Sequence, residues 1–148
     1  MSKKRMTRLP EGPGAAQWTG PVLIRGWLRL RQPWKHPIAL VKLATKWRRL
    51  KKDVDHGLGL VSFEYWQRLE SLLFGMHVGW ISNADLMSFY KTPSHRDIAA
   101  FATASPLVRA MKLETIGLDG DDHIIRLGGF FISADESDLA PDLLFPVR

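Results

Sequence analysis

The chain of 148 residues contains no cysteine. Thiol catalysis, thiolate metal sites and a disulfide framework are therefore excluded, and the composition is compatible with a reducing compartment. Hydrophobic residues make up 45% of the chain, which is enough to bury a core without disulfides. We expect one domain and a cytoplasmic location.

Long apolar runs are also missing. A membrane-spanning helix needs about 20 consecutive apolar residues, and basic residues such as Arg25 and Lys46 interrupt every candidate. The N-terminus, MSKKRMTRLPEGPG, has the positive charge of a signal peptide but no apolar run behind it. We expect a protein that is not secreted and has no membrane span, with a disordered basic arm over residues 1–19.

Several catalytic and metal-binding motifs are absent as well. The chain has no Gly-rich phosphate loop, no His-x-x-x-His pair and no nucleophile elbow. The acidic cluster Asp119, Asp121 and Asp122 lacks the downstream glutamate of a calcium loop, and its Asp-Gly pair is typical of a hairpin turn. We predict no metal site from these motifs.

Acidic residues are scarce in the first third of the chain. Residues 1–52 hold 14 lysines and arginines against one acid, Glu11, whereas residues 53–148 hold 7 against 14. A basic half attracts nucleic acid or an anionic surface, but a solvated helix face and a mobile arm produce the same count. Nucleic acid is the less favoured partner, because aromatic residues are not interleaved with the basic ones. The basic residues that such a module would use are Arg29, Arg31, Lys42, Lys46, Arg49 and Lys52.

Hydrophobic periodicity predicts a strand, a helix and a hairpin in succession. Residues 21–31 alternate between apolar and basic or aromatic side chains, which is typical of a half-buried strand. From Pro37 a period near 3.6 predicts an amphipathic helix that ends at residues 55–57. Residues 58–67 and 71–81 are rich in aromatic and β-branched residues, and they predict two paired strands.

A broken helix and two more strands follow. Ser82 and Asp85 have the spacing of a capping box, with Asn83 as a competing cap. Pro93 is tolerated only as the first residue of a new helical segment, which Thr92 would cap. In that segment His95 shares an apolar face with Ile98, Ala99 and Ala102. Residues 107–118 and 123–133 predict strands, and residues 135–148 form an acidic C-terminal extension.

This order is that of a ferredoxin-like α+β domain, an antiparallel βαββαβ sheet with two helices on one face, here over residues 20–134. The strand end Val78-Gly79-Trp80, the link 81–83 and the helix that leads to His95 resemble the antibiotic biosynthesis monooxygenase group of the dimeric α/β-barrel superfamily. The resemblance implies a homodimer in which two sheets close into a barrel. It also implies a cleft between sheet and helices for a small aromatic or hydrophobic substrate, or in some branches for heme.

The implied activity is that of a monooxygenase-like enzyme, either cofactorless or heme-dependent. A ligand-binding protein without catalytic activity has the same signature, because this fold hosts many functions. In heme-degrading members a tryptophan lies closer to the histidine than Trp80 lies to His95, 15 residues away. That difference argues against heme degradation.

Two histidines are the candidate bases, or heme ligands if heme binds. His77 lies between Gly75 and Gly79 on its face of a strand, and the missing side chains leave room for a ligand. His95 lies on an apolar helical face. A satisfied core histidine is the alternative interpretation of each. We predict that both line one pocket with Trp80 and Tyr90.

Donor and contact residues complete the predicted site. Tyr90 and Asn83 supply a hydroxyl and an amide that can stabilise an oxyanion as a phenolic substrate loses its proton. Large aromatic surfaces suit a flat apolar ligand. The predicted substrate-binding residues are Trp66, Phe74, Trp80, Phe89 and Arg96.

Overall fold

The computed structural model describes residues 4–55, 59–119 and 123–133. These residues form one antiparallel sheet of six strands with helices on one of its faces. The strands are β1 (Arg5–Arg8), β2 (Val22–Leu30), β3 (Leu60–Arg68), β4 (Leu73–Trp80), β5 (Val108–Asp119) and β6 (His123–Ser133), and the helices are α1 (Pro37–Asp55), α2 (Asn83–Tyr90) and α3 (Pro93–Ala104).

The strand order is β1-β6-β5-β2-β4-β3. The four strands β5-β2-β4-β3, joined through α1 and through α2 and α3, have the ferredoxin-like arrangement, with β6 and β1 added at one edge. The predicted α+β ferredoxin-like fold is confirmed. The second helix of the motif is divided into α2 and α3, because Pro93 begins a new helix.

Local signals set the helix boundaries. The hydroxyl of Ser82 accepts a hydrogen bond from the backbone N–H of Asp85 at 3.3 Å and donates one to the Asp85 carboxylate at 2.9 Å. Asn83 is therefore the first helical residue and not the cap. Thr92 occupies the N-cap of α3, but its hydroxyl donates to the carbonyl of Phe89 at 2.7 Å.

The main core lies between the helices and one face of the sheet. Val22 and Ile24 of β2 pack there with Val78 and Trp80 of β4, and all four are almost completely buried. Leu86 of α2 contacts the same cluster. Strand alternation explains this arrangement, since every second residue of β2 and β4 faces the helices.

The opposite face of the sheet, which we call the helix-free face, has its own apolar cluster. Trp27, Leu73, Ala110 and Phe131 are buried there, and Trp66 packs against them. Beside this cluster the buried Glu114 accepts hydrogen bonds from two arginines of neighbouring strands. In the part of the chain that the structure describes, no helix belongs to this cluster.

The N-terminal region differs from the disordered arm that we expect for residues 1–19. Residues Arg5–Arg8 form β1 and pair with β6, although all four are exposed. Backbone pairing to an edge strand requires no apolar side chains, so periodicity does not signal it. Lys4 anchors this region through its ammonium, which donates to three carbonyls at and beyond the end of α3.

Some of the predicted features involve residues that the structure does not describe. The turn residues Asp121 and Asp122, the helix end at residues 56–57 and the extension at 135–148 are outside the described ranges. Within those ranges no helix is long and apolar enough to span a membrane.

Candidate functional site

A cavity of about 620 Å³ opens between the helices and the β5–β6 side of the sheet. Three of the four predicted catalytic residues, Asn83, Tyr90 and His95, line it. Its other walls are mostly apolar, which suits a small hydrophobic ligand held by a few polar groups. These walls comprise Glu11, Ala15, Ala16, Trp18, Met87, Leu113, Thr115, Leu127, Gly128, Gly129 and Phe130.

The rings of Tyr90 and His95 are in contact, with centroids 4.7 Å apart. Tyr90 ends α2 and His95 lies in the first turn of α3, so the break at Pro93 brings the two side chains together. The main chain of Tyr90 also hydrogen-bonds the imidazole of His95. Because an imidazole has two nitrogens, one stays available to a ligand. Phe89 packs edge-on against the same imidazole at 5.3 Å.

Burial shifts both titrations toward the neutral form. It lowers the pKa of His95 below 6.5, and the hydrogen bond with the Tyr90 main chain only partly offsets this effect. Burial also raises the pKa of Tyr90 above 10, against a smaller opposite effect of its hydrogen bond with Thr115. Near neutral pH the site therefore holds a neutral imidazole, which can accept a proton, and a neutral phenol, which can donate a hydrogen bond.

Thr115 and Trp18 are among the lining residues that the sequence-based prediction missed. The hydroxyl of Thr115 in β5 lies 3.3 Å from that of Tyr90, and its position between apolar residues on the inward side of a strand is a signal that could identify it. Trp18 packs over Gly117, where an added Cβ would lie only 2.5 Å from the indole. Its indole nitrogen donates to the carbonyls of Gly20 and Pro21. A lone tryptophan in a polar segment is the available signal for such a wall.

His77 does not lie in this cavity, and the prediction that it shares one pocket with His95 is wrong. On β4 the side chains of Met76 and Val78 pack toward the helices, so His77 between them faces the helix-free side. Its pKa is lowered by burial, which outweighs the opposite effect of Glu64. A catalytic role for His77 stays a prediction that applies to the other face of the sheet.

The room that we expect around His77 is occupied by side chains of β3. A Cβ at Gly75 would collide with the indole of Trp66, and one at Gly79 would lie 2.6 Å from the hydroxyl oxygen of Ser62. The two glycines therefore accommodate neighbouring side chains within the sheet. A glycine in a strand indicates that another group approaches the backbone closely, but the sequence does not show whether that group is a ligand or a neighbouring side chain.

The predicted substrate-binding residues do not line the cavity. Trp80 and Phe89 belong to the main core, with ring centroids 5.1 Å apart, and Phe74 packs at the edge of a second core cluster. Trp66 lies on the helix-free face, and Arg96 is exposed on α3. Their predicted contacts with substrate remain untested, and the geometry favours the lining residues instead.

The cavity does not fit heme. His95 could present one ring nitrogen to an iron, but the two propionates of heme would need cationic partners. Among the described residues that line the cavity there is no lysine or arginine, and the charged side chain is that of Glu11. Within the described ranges, no group of three or more His, Asp or Glu side chains could hold a metal ion.

Comparison with known proteins relates the chain to others through its fold. No protein-family model matches the sequence, and no curated protein matches it. Solved structures do match. Rv0793 from Mycobacterium tuberculosis is 13% identical, with a TM-score of 0.54, and the match covers 70% of this chain and 99% of that one.

Two further solved structures carry functional descriptions. A protein from Caulobacter crescentus, described as a candidate antibiotic biosynthesis monooxygenase, is 14% identical with a TM-score of 0.53, over 70% of this chain and 92% of that one. SnoaB from Streptomyces nogalater, a cofactor-independent oxygenase, is 10% identical with a TM-score of 0.52, over 70% and 97%. At these identities the comparison shows the fold, and the predicted resemblance to the antibiotic biosynthesis monooxygenase group is confirmed at that level.

Proposed function

We propose that this protein is a cofactorless monooxygenase-like enzyme that oxidises a small aromatic substrate in the cavity lined by Asn83, Tyr90 and His95. The observation that carries the proposal is the neutral His95 imidazole in an apolar cavity, beside the phenol of Tyr90. The description of SnoaB, which shares the fold, as a cofactor-independent oxygenase supports the same chemistry.

The proposed reaction begins with proton transfer. The free ring nitrogen of His95 removes an acidic C–H or O–H proton from the substrate, and the imidazole becomes cationic. The hydroxyl of Tyr90 and the amide of Asn83 donate hydrogen bonds to the oxygen on which negative charge develops. Such charge stabilisation is strongest in a site that is largely shielded from water, as the aromatic wall of Trp18 favours.

The deprotonated substrate then supplies the electrons. It transfers one electron to O₂, and the resulting radical pair combines into a peroxide with a new C–O bond. Loss of water from the peroxide leaves one oxygen atom in the oxidised product and places the other in water. The substrate is oxidised by four electrons in total, O₂ accepts all four, and the proton returns from His95.

Oxygen uptake with anthrone, an aromatic ketone with acidic methylene protons, tests the proposal. We expect uptake to depend on enzyme, and His95→Gln to lower kcat/KM by about 100-fold or more, the usual contribution of a general base. The amide of glutamine is similar in size to the imidazole but is not a base. Uptake by H95Q equal to that of the wild type would contradict the assignment of the base.

His77→Gln is the matched variant on the other face of the sheet. Loss of uptake in H77Q with full retention in H95Q would move the base to the helix-free face. If neither the wild type nor any variant consumes oxygen, but anthrone still quenches tryptophan fluorescence in the wild type, the second candidate function is favoured. That candidate is a ligand-binding protein without catalytic activity, and the apolar cavity wall that includes Trp18 supports it.

We also propose that two copies associate through the helix-free face and that the protein acts in the cytoplasm. The apolar cluster of Trp27, Phe131 and the neighbouring Trp66 supports association, because an apolar sheet face packs well against a second sheet. The lack of cysteine supports the location.

A further inference from the structure

The beginning of α1 exposes large apolar side chains to solvent. Trp34 is 69% exposed, Ile38 73% and Val41 66%. Ile38 and Val41 are three residues apart in α1 and so lie on one side of the helix, and Trp34 lies in the short 3-10 helix (Pro33–Lys35) that precedes α1. We call these three residues the apolar patch. Single exposed hydrophobic residues are ordinary, but three neighbouring ones indicate an interaction surface.

Positive charge surrounds the apolar patch. Residues 31–49 contain no aspartate or glutamate. In this stretch Lys46 is neutralised by the carboxylate of Asp97, with its nitrogen 2.7 Å from both oxygens. The remaining basic residues are exposed and form no ion pair within the described part of the chain, and these are Arg31, Lys35, Lys42, Arg48 and Arg49.

A second cavity adjoins the patch. It has a volume of about 470 Å³ and opens between α1 and the end of α3. Lys35 and Lys42 stand on its wall beside the apolar side chains of Ile38 and Phe101. The cavity therefore combines cationic groups with an apolar floor. An anionic amphiphile needs both, one for its charged group and the other for its apolar part.

We propose that this surface binds the protein reversibly to a bilayer rich in anionic phospholipids. Trp34 is suited to the headgroup level, where the amphipathic indole ring is favoured, and Ile38 and Val41 reach the beginning of the acyl chains. The five exposed cations Arg31, Lys35, Lys42, Arg48 and Arg49 face the anionic headgroups. Binding of this kind is peripheral, since the inward side of α1 stays packed on the sheet through Leu50 and Val54.

The composition of the patch favours lipid over nucleic acid. Aliphatic side chains such as Ile38 and Val41 transfer favourably into hydrocarbon, whereas nucleic acid offers stacking surfaces and phosphates but no apolar interior. The patch also lies on the helical layer, on the opposite side of the sheet from the helix-free face. Association of two copies through that face would leave it accessible.

Sedimentation with lipid vesicles tests the proposal. We expect the protein to sediment with vesicles of about 30% phosphatidylglycerol in phosphatidylcholine at low salt, and to bind pure phosphatidylcholine about tenfold more weakly or less. Raising the salt to about 0.5 M should release it, because screening removes the attraction. Equal binding to the two kinds of vesicle would overturn the proposal.

Two double variants separate the contribution of positive charge to vesicle binding from that of the apolar side chains. The double variant Lys35→Glu and Lys42→Glu should weaken binding to the anionic vesicles by about tenfold or more. Trp34→Ser with Ile38→Ser should also weaken it, while leaving the charge intact. Matched controls are Lys91→Glu and Val61→Ser, since both residues are exposed and lie outside the patch. Circular dichroism confirms that each variant folds.

Competition between vesicles and an oligonucleotide tests whether the surface binds nucleic acid instead of lipid. If single-stranded oligothymidine displaces the protein from vesicles, and Trp34→Ser with Ile38→Ser leaves its affinity for the oligonucleotide unchanged, the surface is a nucleic-acid site and the lipid proposal fails. Oxygen uptake should be the same in all patch variants and the wild type, so failure here is distinguishable from failure of the proposed catalytic function.

Discussion

The imidazole of His95 lies against the phenol of Tyr90, with ring centroids 4.7 Å apart, although the two residues belong to different helices. The contact depends on the sharp break between α2 and α3. Thr92 and Pro93 end one helix and begin the next within a few residues, which turns the first side of α3 toward the end of α2. This one turn of the chain places both the proposed base and the proposed donor at the cavity.

The pH dependence of oxygen uptake should report the titration of His95. Burial lowers the pKa of the imidazole below 6.5 in the folded protein, so the basic form persists to lower pH than in a free histidine. We expect kcat/KM to be flat above pH 6.5 and to fall only at more acidic pH. A profile that falls already at or above pH 6.5 would show that another group, or a histidine whose pKa is not lowered, is the base.

Glu114 should make a large contribution to stability. Its side chain is 2% exposed and accepts hydrogen bonds from Arg25 and from Arg126, the latter at 2.8 Å. Glu114→Gln would leave two arginines facing a neutral amide, and we expect it to lower the free energy of unfolding by about 2–3 kcal/mol in urea denaturation near neutral pH. Glu64→Gln, an exposed glutamate on the same face, should cost less than about 0.5 kcal/mol.

Comparison of the wild type with E114Q at acidic pH tests whether the stabilisation by Glu114 is electrostatic. Burial alone would raise the pKa of Glu114, but the charge and hydrogen bond of Arg25, the hydrogen bond of Arg126 and the charge of Lys112 together hold it below 4.5. Because the pKa is lower in the folded state, the stabilisation is complete above 4.5 and is lost as the pH falls through the folded value. The difference between wild type and E114Q should therefore narrow in strong acid. A constant difference would point to packing.

Lys4 should stabilise the end of α3. Its ammonium donates to the carbonyls of Ala102, Ser105 and Val108 at 2.8, 2.8 and 2.9 Å. Lys4→Met keeps much of the side-chain length but leaves these carbonyls without that donor, and we expect a loss of about 1–3 kcal/mol. The control is Arg8→Met, an exposed position in the strand β1 that follows Lys4. Equal thermal midpoints for the two variants would contradict the prediction.

Association through the helix-free face should be sensitive to Trp66. Trp66→Glu places a charge beside the apolar cluster of Trp27 and Phe131, and we expect it to convert a dimer into monomers in sedimentation equilibrium. Tyr65→Glu is the matched control, because this neighbouring residue is 61% exposed and points to the other face of β3. A wild-type protein that sediments as a monomer, or a W66E variant that stays dimeric, would contradict this interface.

The alternation of β4 separates two of the predicted site residues, and that separation follows from the sequence itself. Trp80 and His77 differ by an odd number of positions, so a regular strand must place them on opposite faces. Their closeness in the chain led to the incorrect prediction that His77 and Trp80 line one pocket. The strand assignment alone gives the face that each residue occupies, whereas the residues that line the cavity depend on how the helices pack on the sheet.

By itself the sequence determined the elements of the ferredoxin-like domain, because their signals are local, but it did not predict the exposed edge strand β1. The alternation of residues 22–30, the cap at Ser82 and the proline after Thr92 each act within one turn or one strand, and the structure confirms all three. Only the tertiary structure decided that Trp18 lines the cavity, that Thr115 bonds Tyr90 and that Trp66 covers Gly75. These contacts join residues from different elements, and their geometry depends on the packing of the whole sheet.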